Sequence, residues 1–271
     1  TDYFFQTEMA QFYADLGYAF YALDLRKCGR SLREGQTPHY ISDLALYDDE
    51  LLRAVQIVRE EHPNAAIVLS AHSTGGLIVP LWLARVNEEA GAIAKLGIQG
   101  LVLNSPWFDL QASPLVRMVG TEAVELLAKV KPFTVLPLPA GEGYGDSMHR
   151  SRSGEWDFDV AWKPLGGNPV TAGWITAIRR GHAKLHRGLD IGVPSLILRS
   201  SRSRFSRHFT EEITTADAVL DVKQIALWSG CLGNAITSLP IEDATHDVFL
   251  SKATPRAAAY AAVERWLKMW I

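Results

Sequence analysis

The turn around Ser73 decides the fold, in a stretch that reads Ala65-Ala66-Ile67-Val68-Leu69-Ser70-Ala71-His72-Ser73-Thr74-Gly75-Gly76-Leu77-Ile78-Val79. Residues 65–69 have the length and apolarity of a buried strand, and the residues after Gly76 open a helix. A serine between them projects its hydroxyl above the edge of the sheet. Ala71 and Gly75 are the small residues that such a sharp turn needs at positions −2 and +2. The stretch therefore indicates a nucleophilic serine.

The helix that follows Ser73 adds a second catalytic feature. Its first turn directs backbone N–H groups and a positive dipole end toward the site where an oxyanion would form. We therefore expect the N–H of Thr74 to be one oxyanion donor.

The composition excludes several classes of protein. The chain has 271 residues, is 48% hydrophobic and 21% charged, and carries a formal net charge of −3. It can bury the core of one large α/β domain or two small ones. The acidic balance argues against nucleic acid as the main partner, and no apolar run reaches the roughly 18–20 residues of a membrane span. Cys28 and Cys231 form no disulfide framework or metal pattern.

Strand-length and helix-length segments alternate along the chain. Strands are predicted at residues 19–23, 65–69, 101–103, 195–198 and 235–240, and helices at residues 8–16, 43–61, 76–87 and 257–270. Asp43 is the expected cap of the second helix. This alternation predicts an α/β protein with a mostly parallel sheet covered by helices on both sides.

The alternation stops between residues 107 and 190. This stretch holds six prolines and four of the eight tryptophans. A loop of that length is improbable in a compact domain, so we expect an inserted helical lid over one end of the sheet. The predicted organisation is a core of residues 1–106 and 191–271 with a lid at residues 107–190.

The turn resembles the nucleophile elbow G-H-S-x-G-G of the α/β-hydrolases, with Ala71 in place of the first glycine. The branch that it resembles contains monoacylglycerol lipases, lysophospholipases and serine-aminopeptidase-like enzymes. Residues 17–31, GYAFYALDLRKCGRS, are similar to the "GY-x-V-x-x-x-D-x-R-G-H-G-x-S" segment of that branch, with Lys27 and Cys28 in place of its Gly and His. The resemblance implies the α/β-hydrolase fold over nearly the whole chain.

A base and an acid must accompany such a serine, in the order Ser, Asp or Glu, His along the chain. His246 is the only histidine after position 208, and its place and neighbours resemble those of the family's catalytic histidine.

The acid has three candidates. An acid in the register of the simplest relatives would fall at Ser203, but Asp217 begins a segment, DAVLD, that resembles the family's "D-x-V-V-D". An insertion of about a dozen residues before the acid makes Asp217 the first choice. Asp221 is the second candidate and Asp109 the third.

These residues predict a serine hydrolase of the carboxylesterase or lipase type, acting on a lipid-like or other hydrophobic ester through an acyl-enzyme. His72 and Trp107 are expected to contact the substrate. No metal or other cofactor is expected, because no His, Cys or carboxylate set has ligand spacing. The alternatives are acyltransferase, thioesterase or peptidase activity on the same fold, or a non-catalytic ligand-binding protein. The oligomeric state stays open.

The start of the chain, Thr1-Asp2-Tyr3-Phe4-Phe5, resembles the residues just after the family's "H-G-x" loop, which carries the second oxyanion donor. Two alternatives follow: the donor lies in residues not given, or it is supplied from near Thr1. We expect an amino-terminal truncation that removes the first strands. The lack of a visible signal sequence favours a cytoplasmic location.

Overall fold

A parallel β-sheet forms the centre of the molecule. A computed structural model describes residues 2–111, 114–137 and 143–271. Within them the sheet has four strands in the order β1-β2-β3-β4, and all neighbouring pairs are parallel. The strands are β1 (Ile67–His72), β2 (Ile98–Asn104), β3 (Ser195–Ser200) and β4 (Ile236–Ile241). The predicted α/β fold with a mostly parallel sheet is confirmed.

Alternate residues of the central strands point into two separate apolar layers. Leu101 and Leu103 of β2 pack with one buried cluster, whereas Val102 between them packs with the other. The first cluster draws on α2, α3, α7 and α8, and the second on α1 and α9. Because both faces are covered, β2 and β3 are buried almost throughout, as the strands of parallel sheets usually are.

The helices cover the two faces of the sheet. They are α1 (Thr7–Asp15), α2 (Asp48–Glu61), α3 (Gly75–Asn87), α4 (Ala92–Leu96), α5 (Pro114–Val130), α6 (Gly143–Met148), α7 (Ala172–Leu185), α8 (Val222–Trp228) and α9 (Ala253–Trp270). The predicted start of the second helix was wrong, because Asp43 caps a short 3-10 turn (Leu44–Tyr47) and α2 begins after it. The Asp43 carboxylate accepts the N–H of Ala45 there.

The strand predicted at residues 19–23 was also wrong. Residues 19–23 form no strand, and β1 pairs only with β2 and lies at the edge of the described sheet. Residues 18–25 and 65–71 both line one cavity. A segment becomes a strand only when a neighbour takes its backbone hydrogen bonds, and among the described residues none does so for residues 19–23.

The stretch predicted to be a lid contains α5, α6 and α7 and lies between β2 and β3 in the chain. Helix α7 packs its Ile175, Ala177 and Ile178 into the first apolar cluster. The carbonyl oxygens of Trp107 and Phe108 hold the rings of His182 and His186 at 2.9 and 2.8 Å. These contacts fix α7 beside the segment that leaves β2.

The turn from β1 into α3 brings the helix against the segment after β2. A Cβ atom built on Gly76 would lie 2.5 Å from the Cβ and 2.8 Å from the Cα of Pro106. Only a glycine allows this approach, which explains the second glycine of the turn.

We expect Gly76→Ala to destabilise the fold by about 1–3 kcal/mol, because the added methyl collides with backbone that has no room to move. Urea unfolding monitored by circular dichroism measures this loss. Gly230→Ala is the matched control, since a Cβ there meets nothing within 4 Å. Equal stability of the two variants would contradict the close packing inferred at Gly76.

Candidate active site

Ser73 sits on the turn at the carboxyl end of β1 in a strained backbone conformation. Its φ angle is 52°, in the left-handed region that residues with a Cβ seldom adopt. Its N–H donates to the carbonyl oxygen of Asn104 at 3.0 Å, and its own carbonyl accepts the N–H groups of Gly76 and Trp107 at 3.0 and 2.9 Å. Three backbone hydrogen bonds therefore hold the strained turn in place.

The structure brings Ser73, His246 and Asp217 into one hydrogen-bonded chain. His246 Nε2 lies 3.0 Å from Ser73 Oγ, and His246 Nδ1 lies 2.9 Å from Asp217 Oδ2. Asp217 is fully buried and His246 is 2% exposed. With its Nδ1–H donated to the carboxylate, the imidazole presents a lone pair on Nε2 to the serine hydroxyl.

A loop of residues 204–216 returns Asp217 to the end of β3. Asp217 forms an isolated parallel bridge with Ser203, the position where the shorter register would have placed an acid. Its N–H donates to the Arg202 carbonyl, and its carbonyl accepts the N–H of Arg204. The loop of residues 204–216 therefore begins and ends beside the carboxyl end of β3.

The other two carboxylates considered as the acid have different partners. Asp221 caps α8 and accepts the N–H of Lys223 at 3.0 Å. Asp109 lies beside α7, where Arg179 Nη1 donates to it at 2.9 Å. Of the three candidate acids, it is therefore Asp217 that forms a hydrogen bond with His246.

The remaining predicted site residues lie close to the serine. Thr74 is the residue just before α3. His72 is half-buried, with its Nδ1 3.0 Å from the Asn104 carbonyl and its ring centroid 4.7 Å from that of His246. Desolvation of the ring lowers the pKa of His72, against the pull of the Asp247 carboxylate, which favours the neutral imidazole.

A large cavity opens onto Ser73 and His246. Its volume is about 1940 Å³, which includes the cleft along the outer edge of β1. Near the serine its apolar wall contains Trp107 and Trp174, whose ring centroids are 5.8 Å apart. Further lining comes from Leu110, Val124 and Leu136.

Sequence reasoning missed the polar groups on another wall of this cavity. Lys163 Nζ lies 2.7 Å from Asp2 Oδ2, and both residues line the cavity together with Tyr144. Burial acts to raise the pKa of Asp2, but the ammonium beside it outweighs this and holds the pKa below its usual value. The ring of Tyr144 lies edge-on to that of His246, with 5.6 Å between the ring centroids. Burial raises the pKa of Tyr144 well above its ordinary value. No sequence spacing links these three positions.

Asn104 and Asp247 were also missed, although each carries a signal. Asn104 is a polar residue that ends the apolar strand β2, and Asp247 directly follows His246. Both are buried and hydrogen-bonded to each other. A polar residue at the carboxyl end of a parallel strand is a candidate site residue, because ligands bind along that edge.

Comparison with known protein families identifies the chain. The family model described as serine aminopeptidase, S33 (Hydrolase_4), matches residues 4–237. The chain belongs to this family of α/β-hydrolases. A search of the curated proteins finds no match.

Solved structures agree with the assignment to the α/β-hydrolases. The monoacylglycerol lipase of Paleococcus ferrophilus is 16% identical with a TM-score of 0.65, over 96% of this chain and 87% of the other. A soluble variant of the Saccharomyces cerevisiae monoglyceride lipase, in complex with a substrate analogue, is 14% identical with a TM-score of 0.60, over 90% and 75%. At these identities the likeness establishes the fold. The family and the fold confirm the predicted α/β-hydrolase resemblance.

No described helix is long and apolar enough to cross a membrane. Within residues 2–111, 114–137 and 143–271, no group of three or more His, Cys, Asp or Glu side chains is placed to hold a metal ion.

Proposed function

We propose that this α/β-hydrolase is a serine hydrolase that cleaves hydrophobic carboxylic esters through an acyl-enzyme intermediate. The observation that carries the proposal is the hydrogen-bonded chain from Asp217 through His246 to Ser73. In this proposal Ser73 is the nucleophile, His246 the general base and Asp217 the acid that orients the base.

The first half of the reaction acylates the serine. Ser73 Oγ attacks the ester carbonyl carbon while its proton passes to His246 Nε2, and the carbonyl oxygen becomes an oxyanion. The negative charge of Asp217 stabilises the imidazolium that forms. The oxyanion then collapses, the bond to the alcohol breaks, and the alcohol leaves with the proton from His246.

The second half releases the acyl group. A water molecule gives its proton to His246 as it attacks the acyl carbon, and the collapse of the second oxyanion returns a proton to Ser73. We assign the N–H of Thr74, at the start of α3, as a donor to both oxyanions. Loss of one such donor costs typically about 3–4 kcal/mol of transition-state stabilisation.

The apolar part of the cavity supports a hydrophobic substrate. An aromatic and aliphatic surface formed by Trp107, Trp174 and Leu136 lines the cavity that opens onto Ser73. An acyl chain packed on this surface would be removed from water, which stabilises its binding. Two of the similar structures are lipases of monoacylglycerol or monoglyceride, so a monoacyl ester of a small polyol is the substrate class we propose.

We also propose that residues 107–190 act as a lid over this cavity. Val124 of α5, Tyr144 of α6 and Trp174 of α7 all contribute to its lining. The inserted segment would thereby determine which esters reach Ser73.

A fluorophosphonate probe tests the nucleophile. We expect the wild-type protein to be labelled covalently and Ser73→Ala to lose all labelling, as read by intact-protein mass spectrometry. Thr74→Ser is the matched control, because it keeps the backbone N–H and changes only the neighbouring side chain. A folded wild-type protein that takes no label would instead support a non-catalytic ligand-binding protein.

Asparagine substitutions test the acid. We expect Asp217→Asn to lower kcat for ester hydrolysis by about 10³–10⁴-fold, because the amide favours the wrong imidazole tautomer and removes the charge. Asp221→Asn is the control and should keep near wild-type kcat, with at most a weaker cap on α8. The reverse pattern would show that Asp221 is the acid.

A series of p-nitrophenyl esters of increasing acyl length tests the substrate class. Each buried methylene contributes about 0.8 kcal/mol, so kcat/KM should rise about fourfold per methylene until the apolar wall is filled. Trp107→Ala should flatten this dependence, whereas Trp270→Ala, on the exposed end of α9, should not. A preference for acetyl over all longer chains would exclude a lipid-like substrate.

A further inference from the structure

Asn104 connects the turn that carries Ser73 with the loop that carries His246. It ends β2 and is 2% exposed. Its backbone carbonyl accepts the N–H of Ser73 at 3.0 Å and holds Nδ1 of His72 at 3.0 Å. One atom of Asn104 therefore fixes two consecutive residues of the turn.

The side chain of Asn104 holds the other loop. Its Nδ2 donates to Asp247 Oδ1 at 2.6 Å, and its Oδ1 accepts the N–H of Val248 at 3.1 Å. Asp247 and Val248 are the two residues directly after His246. The amide thus holds the histidine loop with both of its polar atoms, one as a donor and the other as an acceptor.

Several hydrogen bonds hold the carboxylate of Asp247 in position. It is completely buried, and besides Asn104 its carboxylate accepts Gln6 Nε2 at 3.0 Å and the N–H of Phe249 at 3.1 Å. A buried carboxylate is stable only with such partners, so its position follows theirs. Removal of the Asn104 donor takes away one of the two hydrogen bonds to Asp247 Oδ1, which keeps only the N–H of Phe249.

We propose that Asn104 is the positioning residue that sets the separation of Ser73 Oγ and His246 Nε2. It acts on the reaction through these two residues, and the proposal rests on the proposed serine-hydrolase function. Proton transfer needs a separation within hydrogen-bond reach, and a misplacement of about 1 Å can cost a factor of about 10² in rate. Loss of the amide grip should lower the rate of acylation and leave substrate binding nearly unchanged.

Two variants test the role, with the rate of fluorophosphonate labelling and the steady-state constants as readouts. Asn104→Ala removes both side-chain bonds, so we expect a loss of about 10–100-fold in labelling rate and kcat with KM within about twofold. Asn87→Asp is the control for loss of an amide donor. Asn87 ends α3 and donates to the Asp190 carbonyl, about 20 Å along the helix from Ser73 by its rise per residue. The Asn87→Asp variant should be labelled at the wild-type rate.

Asn104→Asp keeps the shape of the side chain and adds a pH signature that a merely structural role would not give. It places two carboxylates at the 2.6 Å contact, which can share one proton at low pH but repel each other when both ionise. The labelling rate relative to wild type should therefore fall as pH rises.

The outcomes distinguish the positioning role of Asn104 from the proposed hydrolase function. Slower acylation of folded variants and the pH-dependent loss in Asn104→Asp support the positioning role. Wild-type labelling rates at every pH in Asn104→Asp would overturn it and leave the hydrolase proposal intact. Absence of labelling in the wild-type protein would instead overturn the proposed function, and the positioning role with it.

Discussion

The hydrogen bond between His246 Nε2 and Ser73 Oγ joins residues 173 positions apart in the chain, and the site depends on it. The bond exists because parallel strands end at one edge of the sheet, so that the turn after β1 and the loop after β4 reach the same place. Two intervening strands separate them, and residues that follow these strands fill the space between. Asn104 ends β2, and Asp217 bridges to Ser203 just beyond β3.

Two buried carboxylates hold this edge rigid. Asp217 Oδ1 accepts the N–H groups of Val219 and Leu220 at 2.8 and 2.7 Å, while its Oδ2 faces His246. Asp247, on the other side of the histidine in the chain, is held by side-chain amides and a backbone N–H. An unpaired buried charge would cost several kcal/mol. Loss of any hydrogen-bond partner would therefore destabilise the fold, so the carboxylates and their partners hold one another in position. His246 is thereby fixed from both directions.

The sequence predicted the parts of the fold and site that depend on local pattern. The alternation of apolar runs and amphipathic helices predicted the parallel sheet, and the small residues Ala71 and Gly75 predicted the turn at Ser73. The family resemblance led to His246 and Asp217. The structure places His246 against Ser73 and Asp217 against His246, although a loop of residues 204–216 separates Asp217 from the expected register.

What the sequence could not predict depends on partners distant in the chain. Residues 19–23 have the composition of a strand, but a strand needs a neighbouring ladder, and β1 pairs only with β2 on its other side. Asn104 looks like the last residue of an apolar strand, and its role follows only from bonds to residues before and far after it. The same holds for Asp2 and Lys163, whose ion pair beside the cavity has no sequence signature.

Direct observation of an acyl group on Ser73 tests the account most directly. A p-nitrophenyl ester would be mixed with the enzyme, the reaction quenched in acid during turnover, and the proteolytic peptide that contains Ser73 weighed by mass spectrometry. The account predicts a mass increase equal to the acyl group on Ser73 and none in Ser73→Ala. Ester hydrolysis that proceeds at an undiminished rate in Ser73→Ala, or an acyl group on another residue, would contradict it.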